Sequence, residues 1–319
     1  MSAVERRNPW LEIVLLGAVS AILHQTGIFL VFFAIPVQVV AVRRGSTAFL
    51  NAAMVSLGII ALWKGVQIMS IAVPDGDTTL IMLDILLPFS IFLALGMLSL
   101  LPKKGVWQNV WWRIAAACAL AVLCVFPMLM YARVSPLFQS VIEAQYQFLL
   151  DQGMLVEDIS LQDLQKQVVS MLFQGIGGGI SLLVCLNYYF GASLGGDRQR
   201  LRQLVLPRWT VGLAIGLFAA GMFKVNGLLA VFVWNVFGFL AVLYSFVGVA
   251  VFAQVMSRKK TGPRKRLLWM GGIILLLLIP IVNITVLLLL PITGAVDTVV
   301  RIRERYRNKG VTDESHFEH

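Results

Sequence analysis

The sequence predicts an all-α, polytopic helical membrane protein, and three observations predict it. Of 319 residues, 59% are hydrophobic and only 13% charged, a balance that cannot give a soluble fold of this size a wettable surface. Apolar runs recur that reach the roughly 20 residues a membrane-crossing helix needs. The short loops between them alternate in sign. Arg43 and Arg44, Lys103 and Lys104, Arg198 to Arg208 and Arg258 to Arg266 are basic, whereas Asp75 to Asp77 and Glu143 to Asp163 are acidic. Basic loops are held on the cytoplasmic side, so this alternation threads the chain through about eight to nine apolar membrane segments.

Leu11 to Val42 is too long for one perpendicular helix, and Gly27 and Pro36 offer breaks, so two short helices forming a hairpin are expected. The hairpin places Arg6 and Arg7 on the cytoplasmic side, although Glu5 beside them weakens the charge argument. No cleavable signal peptide is expected, because the run continues past His24 and Gln25 into further apolar sequence without a small-residue cleavage site.

Ser46 to Val73, Thr79 to Leu101, Val110 to Tyr131, Val168 to Phe190 and Leu228 to Val255 each suffice for a span. Thr210 to Phe223 is shorter and runs into Lys224, Asn226 and Gly227, which read as an outer turn. Between the spans, Val134 to Lys166 is an outer segment expected to form two helices. The second starts at Ser160, whose hydroxyl caps while Asp163 sits in the first turn.

Leu267 to Leu290 has two readings. It either spans once and leaves the tail outside, or folds at Pro280 and Asn283 into a short hairpin. Arg301, Arg303, Arg305, Arg307 and Lys309 favour a cytoplasmic tail. In that tail Ala295, Val299, Ile302 and Tyr306 share one helical face with arginines on the others, as in a helix lying on anionic lipid headgroups; a protein-partner surface is the rival reading. The expected organisation is one membrane domain over residues 1–292, with an extracytoplasmic helical insert at 134–167, and a basic amphipathic tail at 293–319.

The net charge of +10 would suggest nucleic acid in a soluble protein. Here topology and headgroups account for it, and no nucleic-acid partner is expected. Cys118, Cys124 and Cys185 lie inside apolar runs without metal-ligand spacing and read as packing residues. His24, His316 and His319 stand apart from carboxylates and cysteines, so no metal or other cofactor is expected, and no catalytic motif predicts an enzyme. Trp107, Trp111, Trp112 and Trp209 beside basic residues read as interfacial anchors.

Ionisable groups inside apolar runs are the leading site candidates, because a charge at mid-bilayer costs about 2.5–3.5 kcal/mol even on lenient scales. Lys64 and Asp84 lie toward the outer ends of adjacent spans at similar depth, which permits an ion pair, and Gln67 shares the Lys64 face one turn on. One reading is an outward-opening pocket for a small charged solute. The others are an ion pair that fixes two helices, or a snorkelling lysine. His24 and Gln25 fall within reach of the same pocket, although a single histidine at a helix end is commonly interfacial.

Asn226 and Asn235 are further pocket candidates, whereas Gln174 and Asn283 read as packing groups. Gly175 with Gly179 and Gly212 with Gly216 are small-xxx-small spacings for close helix approach, not phosphate loops. Gly17 and Ala21 share that spacing, for internal packing or contact with another membrane subunit.

Several strings carry a resemblance: Asn187-Tyr188-Tyr189 before a basic loop, Leu206-Pro207-Arg208-Trp209, the helix from Asn235 to Gly248, and Gly294-Ala295-Val296-Asp297 leading into Arg301, Arg303 and Arg305. In these the chain resembles the YybS-like family of uncharacterised bacterial membrane proteins over nearly its whole length. Its first half is more distantly similar to substrate-binding subunits of energy-coupling-factor transporters, through the small-xxx-small first helix, Pro36 and the Arg43-Arg44-Gly45 turn. The resemblance implies a multi-pass protein of the bacterial cytoplasmic membrane. By analogy with those transporters it implies that Gly17 and Ala21 meet a membrane partner that works with ATPase subunits.

Overall fold

The computed structural model describes residues 8–27, 29–70, 78–101, 108–152, 160–197, 199–223, 225–258 and 280–303. Among these, all regular structure is helical. Four helices are long and apolar enough to cross a bilayer: α3 (Ser46–Ser70), α6 (Val110–Ala132), α8 (Leu161–Gly195) and α10 (Gly227–Arg258). Between 28% and 44% of each apolar stretch is buried within the protein. The remainder presents side chains such as Leu62, Leu123 and Phe232 outward, a surface whose exposure to water would cost about 25 cal/mol per Å². Hydrocarbon is the medium that suits it.

The chain opens with α1 (Pro9–Gln25), started by the Asn8 side chain, which accepts from the Trp10 amide. It turns at Gly27, with φ +67°, runs through a short 3₁₀ turn (Leu30–Phe32) and re-enters helix as α2 (Ile35–Arg44). The Glu12 carboxylate on α1 holds Arg44 at 3.0 Å and Arg43 at 3.4 Å. The start of α1 and the end of α2 therefore share one end of the bundle, as the expected hairpin requires. Non-helical backbone inside a membrane needs internal partners, and it has them here: Ser20 Oγ donates to Phe33 O at 2.6 Å and Asn187 Nδ2 donates to Val31 O at 2.9 Å.

The stretch expected as one span from Thr79 to Leu101 is broken into α4 (Thr78–Leu83) and α5 (Leu86–Leu100). Pro88 lacks the N–H that would bond Asp84 O in a continuous helix, and that carbonyl accepts from Leu87 instead. Beyond α6, α7 (Pro136–Asp151) buries only Ile142. Helix α8 starts where the sequence placed it: Ser160 Oγ accepts from the Asp163 amide at 3.2 Å and donates to its carboxylate at 2.7 Å. It then runs unbroken through the apolar span, so the second outer helix and the span are one element.

The short apolar stretch near 210–223 forms α9 (Trp209–Met222), turning at Gly227 into α10. The last helix, α11 (Pro280–Val300), packs along α10. Gln254 Nε2 donates to Arg303 O at 3.2 Å, and the Arg303 guanidinium donates to Arg202 O and Leu204 O at 3.1 and 2.8 Å. The end of α11 thus lies with the end of α10 and the basic 199–208 loop, so α10 and α11 run in the same direction. Most of the 267–290 run, expected either as one span or as a hairpin at Pro280 and Asn283, lies outside the described residues. Helix α11 passes through the expected boundary at 292/293 without interruption. The tail from 304, residues 1–7, Lys103, Lys104 and Trp107 lie outside the described residues, as do 259–279.

Candidate functional site

Lys64 Nζ and Asp84 Oδ2 meet at 2.6 Å, with side-chain exposures of 17% and 33%. Lys64 comes from the upper part of α3, and Asp84 from the break between α4 and α5 that Pro88 imposes. Beside them His24, in the last turn of α1, is 5% exposed. Both of its ring nitrogens lack a hydrogen-bond partner among the described residues, and its ring stands edge-on to Phe33 at 5.2 Å. It lies within electrostatic reach of both Asp84 and Lys64. Gln25 Nε2 is buried and unpartnered as well, and Gln67 is half-buried one turn beyond Lys64.

An unpaired buried polar group costs about 1–3 kcal/mol. A cluster that leaves several such groups next to an ion pair is therefore chemically unsaturated. It sets a cation, a carboxylate and an unpartnered imidazole near one another. The structure brings together Lys64, Asp84 and His24, with Gln67 adjoining.

The asparagines go elsewhere. Asn226 is exposed in the α9–α10 turn, and nothing among the described residues joins it to the cluster. Asn235 is a stitch between helices. Its Oδ1 accepts from the Gly177 amide while its Nδ2 donates to Phe173 O and Val231 O at 2.7 and 2.6 Å. Its polar atoms are satisfied by α8 and by its own helix, and nothing among the described residues joins it to the Lys64–Asp84 cluster.

Gly17 and Ala21 are also taken up inside the chain. A Cβ on Gly17 would stand 2.7 Å from Ala52 O and 3.1 Å from Val55, and Ala21 is fully buried. This face of α1 packs against α3 and presents no surface to another subunit.

Close approach elsewhere uses different glycines from those the spacing suggested. Gly177 and Gly178 meet Asn235 and Gly238, whereas Gly175 and Gly179 have open space around them. Gly221 packs under Trp234, whereas Gly212 and Gly216 touch nothing. Gly191 and Gly195 receive Gln38 and Val42 of α2, and Gly248 and Gly294 let α10 and α11 meet backbone to backbone. These last two pairs were unmarked in the sequence reading.

A second polar feature, also unforeseen, lies at the basic end. Asp297, 3% exposed, is bound by Arg303 at 2.6 Å, and it also accepts from the Arg303 amide at 2.9 Å. Around this latch the 199–208 loop and the end of α11 enclose a cavity of about 750 Å³. The indoles of Trp111 and Trp112 stack nearby at 3.9 Å, with Trp209 edge-on to Trp111 at 5.6 Å. The paired Asp-to-Arg spacing across a helix end, 297 to 303, was the available sequence signal.

Among the described residues no three His, Cys, Asp or Glu side chains gather as a metal site would require. No protein-family model matches the chain, nor does any curated protein or solved structure.

Proposed function

We propose that this chain is a multi-pass protein of a bacterial cytoplasmic membrane, of YybS-like type, that binds a small polar or charged solute through Lys64, Asp84 and His24, as a component of a transport system. The observation that carries the reading is the buried His24 imidazole, with neither nitrogen partnered, beside a partly exposed ion pair. With the basic loops on the cytoplasmic side, the cluster opens outward. A solute with both an acceptor and a donor, such as a zwitterion, satisfies His24 and Gln25 and competes with the Lys64–Asp84 contact.

The test is a thermal-shift screen of the full chain in lipid nanodiscs against zwitterions, amines and carboxylates. A solute that raises Tm in the wild type, but not in His24→Leu or Asp84→Asn, supports the reading. If no solute in the panel shifts the wild type while both variants match its stability, the reading fails.

A second reading, a membrane scaffold, rests on α7. Its Leu137, Val141 and Phe148 form an exposed apolar row along one face of the helix. Affinity capture that yields a stoichiometric partner, lost on deleting residues 134–166, favours that reading.

A further inference from the structure

The basic-end cavity is lined by four arginines, Arg202, Arg208, Arg301 and Arg303, against one carboxylate, Asp297. That carboxylate is already committed to Arg303, whose two terminal nitrogens each donate to a loop carbonyl, Arg202 O and Leu204 O. The Arg202 and Arg208 side chains are exposed and make no ion pair among the described residues. Gln199, Gln203 and Asn109 add amide groups to the wall, and Trp111 adds an aromatic one.

An arginine-rich, amide-flanked cavity suits an anion with several oxygens, because guanidinium groups bind phosphate with paired, charge-assisted hydrogen bonds. Its size falls within the range of about 300–1,000 Å³ typical of ligand sites. Its neighbours Trp111, Trp112 and Trp209 belong to the aromatic belt found at headgroup depth, where basic pockets between helices receive anionic lipid headgroups.

We propose that this cavity binds a phosphate-bearing ligand, which bridges Arg202 and Arg208 of the 199–208 loop to Arg301 at the end of α11. Loop and helix end are about a hundred residues apart in sequence and are joined in the structure by the Arg303 guanidinium, which donates to Arg202 O and Leu204 O. A ligand spanning the cavity reinforces that junction.

The experiment uses the full chain in neutral detergent at fixed ionic strength, titrated with dihexanoyl phosphatidylglycerol or with inorganic phosphate. Dihexanoyl phosphatidylcholine and chloride are the respective controls. The expected result is a rise in Tm with phosphatidylglycerol at concentrations at least tenfold below those of phosphatidylcholine. The double variant Arg202→Gln/Arg208→Gln, at exposed positions, keeps the unliganded Tm and weakens the response at least tenfold. If inorganic phosphate reproduces the rise with the same dependence on the two arginines, the source is a soluble phosphate compound instead of a lipid. A response equal in wild type and variant, or no larger than the controls, overturns the proposal.

Discussion

The carboxamide of Asn235 on α10 is hydrogen-bonded to Phe173 O and to the Gly177 amide of α8, two groups four residues apart that an undisturbed helix would bond to each other. A side chain inserted at an i→i+4 step locks two helices at one depth. Gly177 is the residue that permits it, because a Cβ there would stand 2.7 Å from Asn235 Oδ1. Replacing Asn235 by Leu removes the stitch and should destabilise the protein by about 1–2 kcal/mol, read as a lower midpoint in detergent-induced unfolding. Asn226→Leu, at an exposed turn, should stay within about 0.5 kcal/mol of wild type.

The glycine run of α8 gives a contrast within three residues. Gly177→Ala drives a methyl into Asn235 and should cost about 1–3 kcal/mol. Gly179→Ala meets open space and should be neutral or stabilising by up to about 1 kcal/mol, since alanine is the better helix former. Thermal melts of the two variants in one detergent check the pair of outcomes.

On α1, Gly17→Leu should separate α1 from α3, because even a Cβ lies 2.7 Å from Ala52 O. The expected outcome is a loss of at least about 2 kcal/mol without any effect specific to a partner subunit. A variant of normal stability that fails only in capture of a membrane partner would contradict the internal packing.

At the basic end, Asp297→Asn leaves Arg303 without its buried carboxylate, at a cost of about 3–5 kcal/mol. The readout is limited trypsin digestion of the protein in nanodiscs. Cleavage after Arg301 or Arg303 should be faster in the variant than in the wild type, and unchanged cleavage would mean that the latch does not hold the end of α11.

The Lys64–Asp84 pair was legible in the sequence because charge inside an apolar run is expensive and calls for a partner at its own depth. The Ser160 start of α8 and the break between α1 and α2 were legible for similarly local reasons, a capping hydroxyl and a glycine with positive φ. The break at Asp84 was not read, although Pro88 signals it, because an apolar run of sufficient length looks continuous.

Which glycines meet a neighbour was not legible either. In water the buried face of a helix is marked by its apolar stripe, but in a bilayer the lipid-facing side is equally apolar, so spacing alone gave Gly175 and Gly179 where Gly177 and Gly178 make the contact. The basic loop was read only as a topology signal. Its second role, walling a cavity with Arg301 and Arg303, depends on α11 running alongside α10, a long-range arrangement that no local pattern encodes.

The most direct test of the central claim, that Lys64 and Asp84 hold a solute as well as two helices, is a charge exchange. Lys64→Asp with Asp84→Lys preserves an ion pair but inverts the charges a bound molecule meets. Each single replacement should lower stability by about 1–3 kcal/mol, less than for a fully buried pair because both side chains are partly exposed, and the double exchange should recover most of it. The account predicts that the exchanged protein melts close to wild type and no longer responds to the solute that stabilises the wild type; an exchanged protein that still responds to that solute would contradict it.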